Sequence, residues 1–401
     1  MKKVILILLA IVNFTILRAQ PTAEVSDIYE NAATRLSKNS PGISFGGYGQ
    51  IDYNQPFGMG EKYNGILDVH RMVLLVGYRF NKRLNLVTEI EWEHVKEISI
   101  EQAFVNYSLN QKIQLQAGLM LVPMGLINLY HEPTTFNGVE RPLLDKFITP
   151  TTWREVGFGV AGNLTEVSMK YQAYVFGGFK SYNGEALITG KNGFRKARQK
   201  GALSIVGSPN FAGRVEYYGI LGLNVGASAY FGKTSSPLNN GVVKTDKLQM
   251  AKADSSIVGL AMIGVDLRYQ KRGFQLKGQW YYGHISNTEQ YNFFGVKAGE
   301  MNDVGKTMGG FYAEAAYDIL RLIKKTAGQL SLFARYTSFD TQRSTVSRVI
   351  KKPAYEIQAI TTGLGWKISR GVVVKSDIQF YKTKTDNKYS KAFNAGVALW
   401  F

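Results

Sequence analysis

The sequence contains no cysteine, so it can form neither a disulfide framework nor a cysteine-ligated metal site. It also lacks long apolar runs. After the first twenty residues, no run approaches the roughly eighteen residues that predict a membrane-spanning helix. No stretch rich in Ser, Gly and Pro divides the chain into parts of different composition, which favours one domain. Without spanning helices, the chain is predicted to be either a soluble protein or a closed β-barrel.

The first nineteen residues have the composition of a secretory signal peptide. Lys2 and Lys3 precede an apolar run from Val4 to Leu17, and Ala19 lies just before the predicted cleavage site. The alternative is an uncleaved anchor, but this run is shorter than the roughly twenty residues that a spanning helix needs. The sequence therefore predicts an exported protein whose mature chain starts at Gln20.

Alternation of apolar and polar residues separates the soluble class from the barrel. In the segments 84–93, 274–282 and 372–380, apolar residues alternate with polar or charged ones, so each is predicted to be a two-faced strand. In a soluble sandwich the apolar faces pack on each other, whereas in a membrane barrel they face lipid and the polar faces line the lumen. Aromatic pairs near segment ends, such as Tyr217 and Tyr218, favour the membrane barrel because its interfacial girdles lie there.

The lengths of the connections also favour the membrane barrel. Strands are predicted at 43–53, 66–80, 83–94, 98–109, 112–120, 154–164, 166–179, 211–219, 221–232, 256–270, 273–284, 308–319, 329–340, 354–368, 371–382 and 391–401. Tight connections at 81–82, 110–111, 163–165, 219–220, 271–272 and 369–370 alternate with long ones at 54–65, 121–153, 180–210, 233–255, 285–307 and 341–353. Short periplasmic turns and long extracellular loops produce this asymmetry, and the turn at 321–325 is an exception.

The predicted fold class is all-β: a closed antiparallel transmembrane β-barrel of about sixteen strands, an even number as single-chain bacterial barrels require. The predicted divisions are a signal peptide at 1–19, a short periplasmic N-terminal segment at 20–42 and the barrel domain at 43–401. The connection 121–153 is rich in Pro, Gly, Asn, His and Arg and is far longer than a usual hairpin loop. We expect it to fold into the lumen as a constriction loop.

The net charge is +18, and loss of Lys2, Lys3 and Arg18 with the signal peptide leaves +15. Basic residues concentrate in two predicted loops: Lys180, Lys191, Arg195, Lys196, Arg198 and Lys200 in one, and Arg343, Arg348, Lys351 and Lys352 in the other. Such an excess indicates an anionic partner or solute. A funnel for small anions and a surface that contacts lipopolysaccharide phosphates explain it equally well. Export and the lack of a nucleic-acid module argue against nucleic-acid binding.

Several strings in the first third of the mature chain resemble the outer-membrane porin family related to the phosphate-selective porins O and P. They are DVHR at 68–71, GYRFN at 77–81, EIEWEH at 89–94, EQAFV at 101–105, GLMLVPMG at 118–125, HEP at 131–133, FNGVERP at 136–142 and PTTWRE at 150–155. The resemblance implies a sixteen-stranded barrel, a homotrimer, and passive diffusion of small solutes past the constriction loop. Phe401 resembles the terminal signature that the barrel-assembly machinery reads.

The candidate constriction residues are His131, Arg141, Lys146 and Arg154. Guanidinium groups bind phosphate and carboxylate bidentately, so Arg141 and Arg154 are candidates for contact with solute. The alternative is that they pair with Glu140 and Glu155 and only hold the loop in place. Phosphate-selective members have several lysines at the constriction, whereas this loop has one, so weak selectivity or none stays open.

Lys277, Arg335 and Lys375 lie on the polar phase of their strands and are predicted to face the lumen. They could form a basic ladder opposite Glu89, Glu91, Glu93, Glu314 and Asp318, or simply solvate a water-filled wall. The four histidines lie in four predicted segments without metal-ligand spacing, so neither a metal site nor a cofactor is predicted. The glycine-rich string GFGVAG at 157–162 precedes a turn and a strand instead of a helix, which argues against nucleotide binding.

The resulting hypothesis is an outer-membrane porin of a Gram-negative bacterium, without enzymatic activity, that passes small hydrophilic solutes. A preference for anions such as phosphate is the further expectation. The expected partners are membrane lipid, lipopolysaccharide, the barrel-assembly machinery and two further copies of the chain. The alternative hypothesis is a barrel that acts as an adhesin or a surface hydrolase.

Overall fold

The computed structural model describes Leu36 and residues 42–58, 62–110, 112–296, 301–323 and 328–401. The predicted signal peptide, and the predicted N-terminal segment apart from Leu36 and Gly42, lie outside the described residues. Sixteen strands are present among the described residues: β1 Gly42–Phe57, β2 Ile66–Arg79, β3 Leu84–Glu93, β4 Glu97–Ser108, β5 Gln114–Leu121, β6 Arg154–Leu164, β7 Met169–Phe176, β8 Asn210–Ile220, β9 Leu223–Lys233, β10 Gly259–Lys271, β11 Phe274–Ser286, β12 Thr307–Asp318, β13 Gln329–Ser344, β14 Glu356–Ser369, β15 Val372–Thr383 and β16 Ser390–Trp400.

Each strand pairs in antiparallel fashion with its neighbours in the sequence, and β1 also pairs with β16 to close the barrel. At this seam, Tyr48 lies opposite Trp400, and their rings stack with centroids 6.0 Å apart. Beyond the last strand, Phe401 exchanges two backbone hydrogen bonds of 2.9 Å with Gly47. A Cβ on Gly47 would lie 2.5 Å from Cζ of the Phe401 ring, so this position accommodates only glycine without displacement. The prediction of a closed sixteen-stranded barrel is confirmed.

The two faces of the wall differ as the alternation predicts. In β10, Ile263 and Val265 point outward and are 45% and 47% exposed, whereas Met262, Asp266 and Arg268 are buried on the lumen side. An apolar outer face and a polar inner face are the arrangement of a transmembrane barrel. Across the described residues, no helix has the length and apolar content needed to cross a membrane.

The connections differ in length between the two ends of the barrel. At the short-turn end, β8–β9, β10–β11 and β14–β15 are joined by two residues each, while β12–β13 are joined through 319–328, the predicted exception. At the long-loop end, 122–153, 177–209, 234–258 and 287–306 contain the large loops. The turn at 94–96 is short although it lies at the long-loop end, as the predicted strands 83–94 and 98–109 imply, and it departs from the alternation of short and long connections.

Two β-bulges place extra polar residues on the lumen side. In β2, the pairing moves from Gln50 opposite Arg71 to Asp52 opposite Asp68, which leaves one additional residue in β2. In β4, it moves from Glu89 opposite Gln102 to Ile90 opposite Ile100, so that Glu101 is additional. A bulge re-aims side chains, since two residues on one strand then face a single partner. As a result Glu101 and Gln102, although adjacent, are both buried.

Two long loops fold back and pack on each other inside the long-loop end. The connection 122–153, called the lumen loop below, contains two one-turn helices, α1 Leu126–Leu129 and α2 Leu144–Phe147. Its last residue, Trp153, stacks on Phe179 of the loop 177–209 with ring centroids 4.5 Å apart, and Phe179 stacks on Phe194 at 5.3 Å. All three rings are fully buried. An apolar core therefore lies within the barrel and fixes the lumen loop at its C-terminal end.

Candidate functional site

The lumen loop enters the barrel at a glycine turn and rests first on the wall formed by β9 and β11. Gly125 has a φ of +73°, and a Cβ there would lie 1.5 Å from the Tyr281 hydroxyl, so the turn requires glycine. The backbone N–H of Leu126 donates to Oε1 of Gln279 at 2.6 Å. Further along, Asp145 accepts hydrogen bonds from Gln279 Nε2 at 2.7 Å and from the Tyr281 hydroxyl at 3.3 Å. Burial raises the pKa of Asp145 to about 7.

The opposite wall holds the lumen loop through a buried cluster, defined as Glu89, Glu101 and His131. Nε2 of His131 lies 3.3 Å from Oε1 of Glu89 and 3.3 Å from Oε2 of Glu101. The Tyr48 hydroxyl donates to Oε1 of Glu89 at 2.5 Å and lies 3.0 Å from the same histidine nitrogen. Burial opposes charging of the imidazole, but the two carboxylates outweigh burial and raise the pKa of His131 to about 10. His131 is therefore a cation at neutral pH.

The other candidates of the predicted constriction occupy three different environments. Arg141 is part-buried and donates from Nη2 to the backbone oxygen of His131 at 2.8 Å, and burial lowers its pKa to about 10. Arg154 is buried and lies 3.6 Å from Oε1 of Glu101. Lys146 is exposed, with its Nζ 5.9 Å from the centroid of the Phe147 ring. The structure thus joins His131, Arg141 and Arg154 around Glu101 and leaves Lys146 at the surface of the loop.

In the alternative in which Arg154 pairs with Glu155, the partner is wrong, because Arg154 pairs with Glu101 instead. Glu155 accepts a hydrogen bond of 3.2 Å from Nε1 of Trp153. The physical reason is strand geometry, since successive residues of a strand point to opposite faces. Arg141 likewise uses the backbone of His131, while Glu140 accepts from Nδ2 of Asn54 at 3.2 Å. Both arginines nevertheless hold the loop, as that alternative expected.

Three cations of the wall reach into the lumen and bind the carbonyl groups of the loop between Pro133 and Gly138. These are the residues predicted to face the lumen: Lys277, Arg335 and Lys375. Lys277 donates to the Thr135 oxygen at 2.9 Å, and Arg335 donates to the Asn137 oxygen at 2.5 Å.

Lys375 donates to the oxygens of Phe136 and Gly138 at 2.8 and 2.9 Å, and also to Pro133. Of the ladder opposite acidic residues, the structure forms the pair of Arg335 with Glu314, at 2.7 Å. The lumen loop is therefore bound to β11, β13 and β15 on one side and to β1, β3 and β4 on the other, and crosses the lumen.

A second histidine and carboxylate cluster lies where the lumen loop meets β1 and β2. This rim cluster is Asp52, His70 and Glu140, whose ligand atoms all lie within 4.8 Å of one another. Nδ1 of His70 is 3.1 Å from Oδ2 of Asp52, and Gln50 donates to the same oxygen at 2.6 Å. Asp52 is 1% exposed and His70 is 21% exposed, so solvent reaches the cluster from the histidine side. Neither cluster was predicted from the sequence. Each is assembled from segments that lie far apart in the chain, so its residues show no metal-ligand spacing.

Below the lumen loop, a cavity of about 330 Å³ opens toward the short-turn end. Its wall is rich in side-chain amides and has cations near the turns: Asn85, Gln102, Asn106, Gln114, Gln116, Gln172, Arg79, Lys82 and Arg83. The amides bond to one another, as in the 3.0 Å contact from Asn106 to Asn85. The wall of this cavity therefore combines neutral hydrogen-bonding groups, which suit small hydrated solutes, with positive charge near the short turns.

The two basic loops lie at the long-loop end, as the sequence predicts. Arg198 donates from Nη1 to the backbone oxygens of Thr151 and Thr152 at 3.0 and 3.2 Å, and burial lowers its pKa to about 9. In the second loop, Lys351 pairs with Asp340 at 2.6 Å and Lys352 pairs with Asp303 at 2.8 Å. Lys191, Arg195, Lys196 and Lys200 are exposed. Each loop therefore has four exposed cations, but two of the four in the second loop are neutralised by the paired aspartates.

No family model matches the chain. Solved outer-membrane channels share its fold. OmpF of Salmonella typhi, in complex with daunomycin, superposes with a TM-score of 0.59 at 11% identity and covers 90% of this chain and 97% of its own. The outer membrane channel DcaP of Acinetobacter baumannii gives 0.59 at 10%, with the same coverage. An anion-selective porin from Comamonas acidovorans gives 0.56 at 12% and covers 90% and 99%. These likenesses establish the fold, which is that of the outer-membrane porins.

A relative in sequence comes from Aquifex aeolicus (strain VF5), where it is described as an uncharacterized protein. It is 31% identical over 376 residues, which cover 90% of this chain and 81% of the relative. Identity at this level over most of both chains indicates common descent. The chain therefore belongs to the same family as the Aquifex aeolicus protein.

Proposed function

We propose that this protein is an outer-membrane porin through which small hydrophilic solutes diffuse, with the lumen loop setting the narrowest part of the path. The observation that carries the proposal is the position of that loop. It crosses a closed barrel and is bound on both sides by charged side chains of the wall. A loop anchored in this way is a fixed constriction, because its backbone cannot move without breaking buried ionic contacts.

An anion preference is the finer part of the proposal, and we assign it to exposed cations. The arginines of the buried interior are engaged by the loop and by carboxylates, so a passing solute meets Lys146, Arg195, Lys196 and Lys200 first. Fixed positive charges lower the cost of moving an anion through a narrow, low-dielectric passage. The anion-selective porin of Comamonas acidovorans has the same fold, which makes this preference compatible with the scaffold. Phosphate is one candidate solute, as the resemblance to phosphate-selective porins implies.

The location and partners of the chain follow from the same proposal. A signal peptide at 1–19 would export the chain, and the barrel-assembly machinery would recognise its last strand through Phe401. The apolar outer face would contact lipid, and the exposed cations of the first basic loop would contact lipopolysaccharide phosphates. A homotrimer is expected from the resemblance to the porin family.

The test is ion current through the refolded protein in a planar bilayer under a KCl gradient, with step size and reversal potential recorded together. We expect discrete steps and a chloride-favouring potential that weakens in Lys146→Gln. Lys271→Gln removes an exposed lysine at the end of β10, at the short-turn end, and is the matched control. Steps without ion preference would overturn the anion assignment alone. No steps from folded protein would overturn the porin proposal and favour the adhesin or hydrolase alternative.

A further inference from the structure

We propose that the rim cluster, Asp52, His70 and Glu140, is a binding site for a first-row transition-metal dication such as Zn²⁺. One imidazole nitrogen and two carboxylates form a mixed donor set that such ions accept, with water completing the coordination. The site joins three separate parts of the chain: β1, β2 and the lumen loop. This inference does not depend on conductance and goes beyond the proposed function.

The distances between the donor atoms suit a shared ion. Two ligands at about 2 Å from a tetrahedral ion lie roughly 3.3 Å from each other. Nδ1 of His70 and Oδ2 of Asp52 are 3.1 Å apart, and all three donors lie within 4.8 Å of one another. Glu140 belongs to the lumen loop, and one of its carboxylate oxygens already lies within this range. Asn54 donates to Oε1 of Glu140 and would orient this carboxylate as an outer-shell partner.

The second observation that points to a ligand is the state of Asp52. Its side chain is 1% exposed, and within the described part of the chain its Oδ1 has no hydrogen-bond partner. A buried carboxylate oxygen without a partner is costly, and a bound cation would compensate it. The other oxygen, Oδ2, lies next to His70 Nδ1 and also accepts from Gln50. Oδ2 is therefore the atom that would bind the ion, and the positive charge of the ion would offset the cost of the unpartnered Oδ1.

The charges around the rim cluster are compatible with a dication. Asp52 and Glu140 together supply two negative charges, while Lys375 is the wall cation that interacts with Asp52. The ammonium of Lys375 is held by carbonyl oxygens of the lumen loop, and Asp377 interacts with it as well.

The neighbour of His70 is His94, and their ring centroids are 5.4 Å apart. Nδ1 of His94 is 2.5 Å from Oδ2 of Asp68. The surroundings therefore add the carboxylates of Asp377 and Asp68 as well as the cation Lys375.

The buried cluster also has one imidazole and two carboxylates but does not suit a metal ion. His131 is itself a cation there, and Arg154 lies 3.6 Å from Glu101, so the two carboxylates are already neutralised. The Tyr48 hydroxyl and the Gln102 amide occupy further oxygen positions of Glu89. At the rim cluster, the interacting cation Lys375 is not a member of the triad, and Oδ1 of Asp52 has no hydrogen-bond partner among the described residues.

The experiment uses the full chain, refolded in detergent and treated with EDTA, and titrates it with ZnCl₂ and with MgCl₂ by isothermal calorimetry. We expect one Zn²⁺ per chain and much weaker binding of Mg²⁺, which prefers oxygen ligands. His70→Gln and Glu140→Gln should each weaken Zn²⁺ binding by more than about tenfold, since even outer-shell partners commonly account for that much. His284→Gln, which removes a histidine of β11 outside the cluster, is the matched control and should bind like the wild type.

Co²⁺ provides a second readout, because ligation by a nitrogen and two carboxylates changes its visible absorption. The wild type should show the bound Co²⁺ spectrum, and Glu140→Gln should lose it while keeping the heat-modifiable gel mobility of a folded barrel. This variant alters a loop residue, so it tests the site even if His70→Gln does not fold. The absence of Zn²⁺ binding by the wild type would overturn the proposal. So would equal affinity for Mg²⁺, or a loss of Zn²⁺ binding in His94→Gln while His70→Gln binds normally.

Discussion

The buried cluster and the rim cluster contain the same donors, one histidine and two carboxylates, and both join the lumen loop to the wall. They differ in what surrounds them. Glu89, Glu101 and His131 are all buried, whereas His70 is 21% exposed and Glu140 is only partly buried. In the buried cluster, His131 is itself the cation that neutralises the two carboxylates. The rim cluster is open to solvent on the side of His70. Burial, more than residue type, thus decides whether such a triad only anchors the lumen loop or can also bind an ion.

In each cluster, one residue is directed toward the lumen by a β-bulge. Glu101 is the additional residue of β4, and His70 lies within the bulged stretch of β2. Without the bulges, regular alternation would send Glu101 or His70 to the lipid face, where a charge is costly. These two bulges are therefore what directs Glu101 and His70 toward the lumen loop.

The largest expected effect comes from breaking the buried cluster with His131→Gln. This change leaves Glu89 and Glu101 buried without their cation, and loss of one partner of a buried ionic contact typically costs about 3–5 kcal/mol. The free energy of unfolding, from urea titration of the refolded barrel, should fall by that amount. Glu97→Gln, at the exposed start of the same strand as Glu101, is the control and should change it by less than about 0.5 kcal/mol. A loss of unfolding free energy no larger than that of the control would show that the buried cluster does not stabilise the barrel in this way.

The pH dependence of the unfolding free energy tests the same difference between the two clusters. The folded chain raises the pKa of His131 from 6.5 to about 10, so the folded state holds this proton more tightly than the unfolded state. The stabilisation is therefore full below about pH 6.5, declines as pH rises, and is lost above about pH 10. The measured quantity is the difference in unfolding free energy between the wild type and His131→Gln at both ends of this window. A difference that does not shrink at high pH would show that His131 is not the cation.

The smallest effect is expected at the rim cluster without metal. In EDTA, His70→Gln removes a histidine that is partly solvated, and exposed ionic contacts contribute only about 0–1 kcal/mol. Urea titration should therefore give nearly the wild-type value, several times less of a loss than for His131→Gln. If the two histidine variants lose equal stability, burial does not distinguish the clusters in the way described above.

Much of this architecture follows from sequence patterns, since alternation and turn residues place all sixteen strands to within a few residues. The lumen position of Lys277, Arg335 and Lys375 also follows, because their phase within each strand fixes the face they occupy. Their partners do not follow: the carbonyl oxygens of 133–138 come to them only after the loop has folded inward. Adjacent polar residues break the alternation at both bulges, Glu101 with Gln102 in β4 and His70 with Arg71 in β2, and such pairs are a signal that could have predicted the bulges.

The seam between β1 and β16 has a consequence for how the barrel closes. Its backbone contacts join the first of the sixteen strands to the last, and they include the two bonds between Gly47 and Phe401. Until these two strands pair, each has an edge of unpaired backbone groups, which the hydrocarbon core of a membrane does not tolerate. The pairing of strands that are far apart in the sequence therefore has to precede or accompany the burial of their edges in lipid.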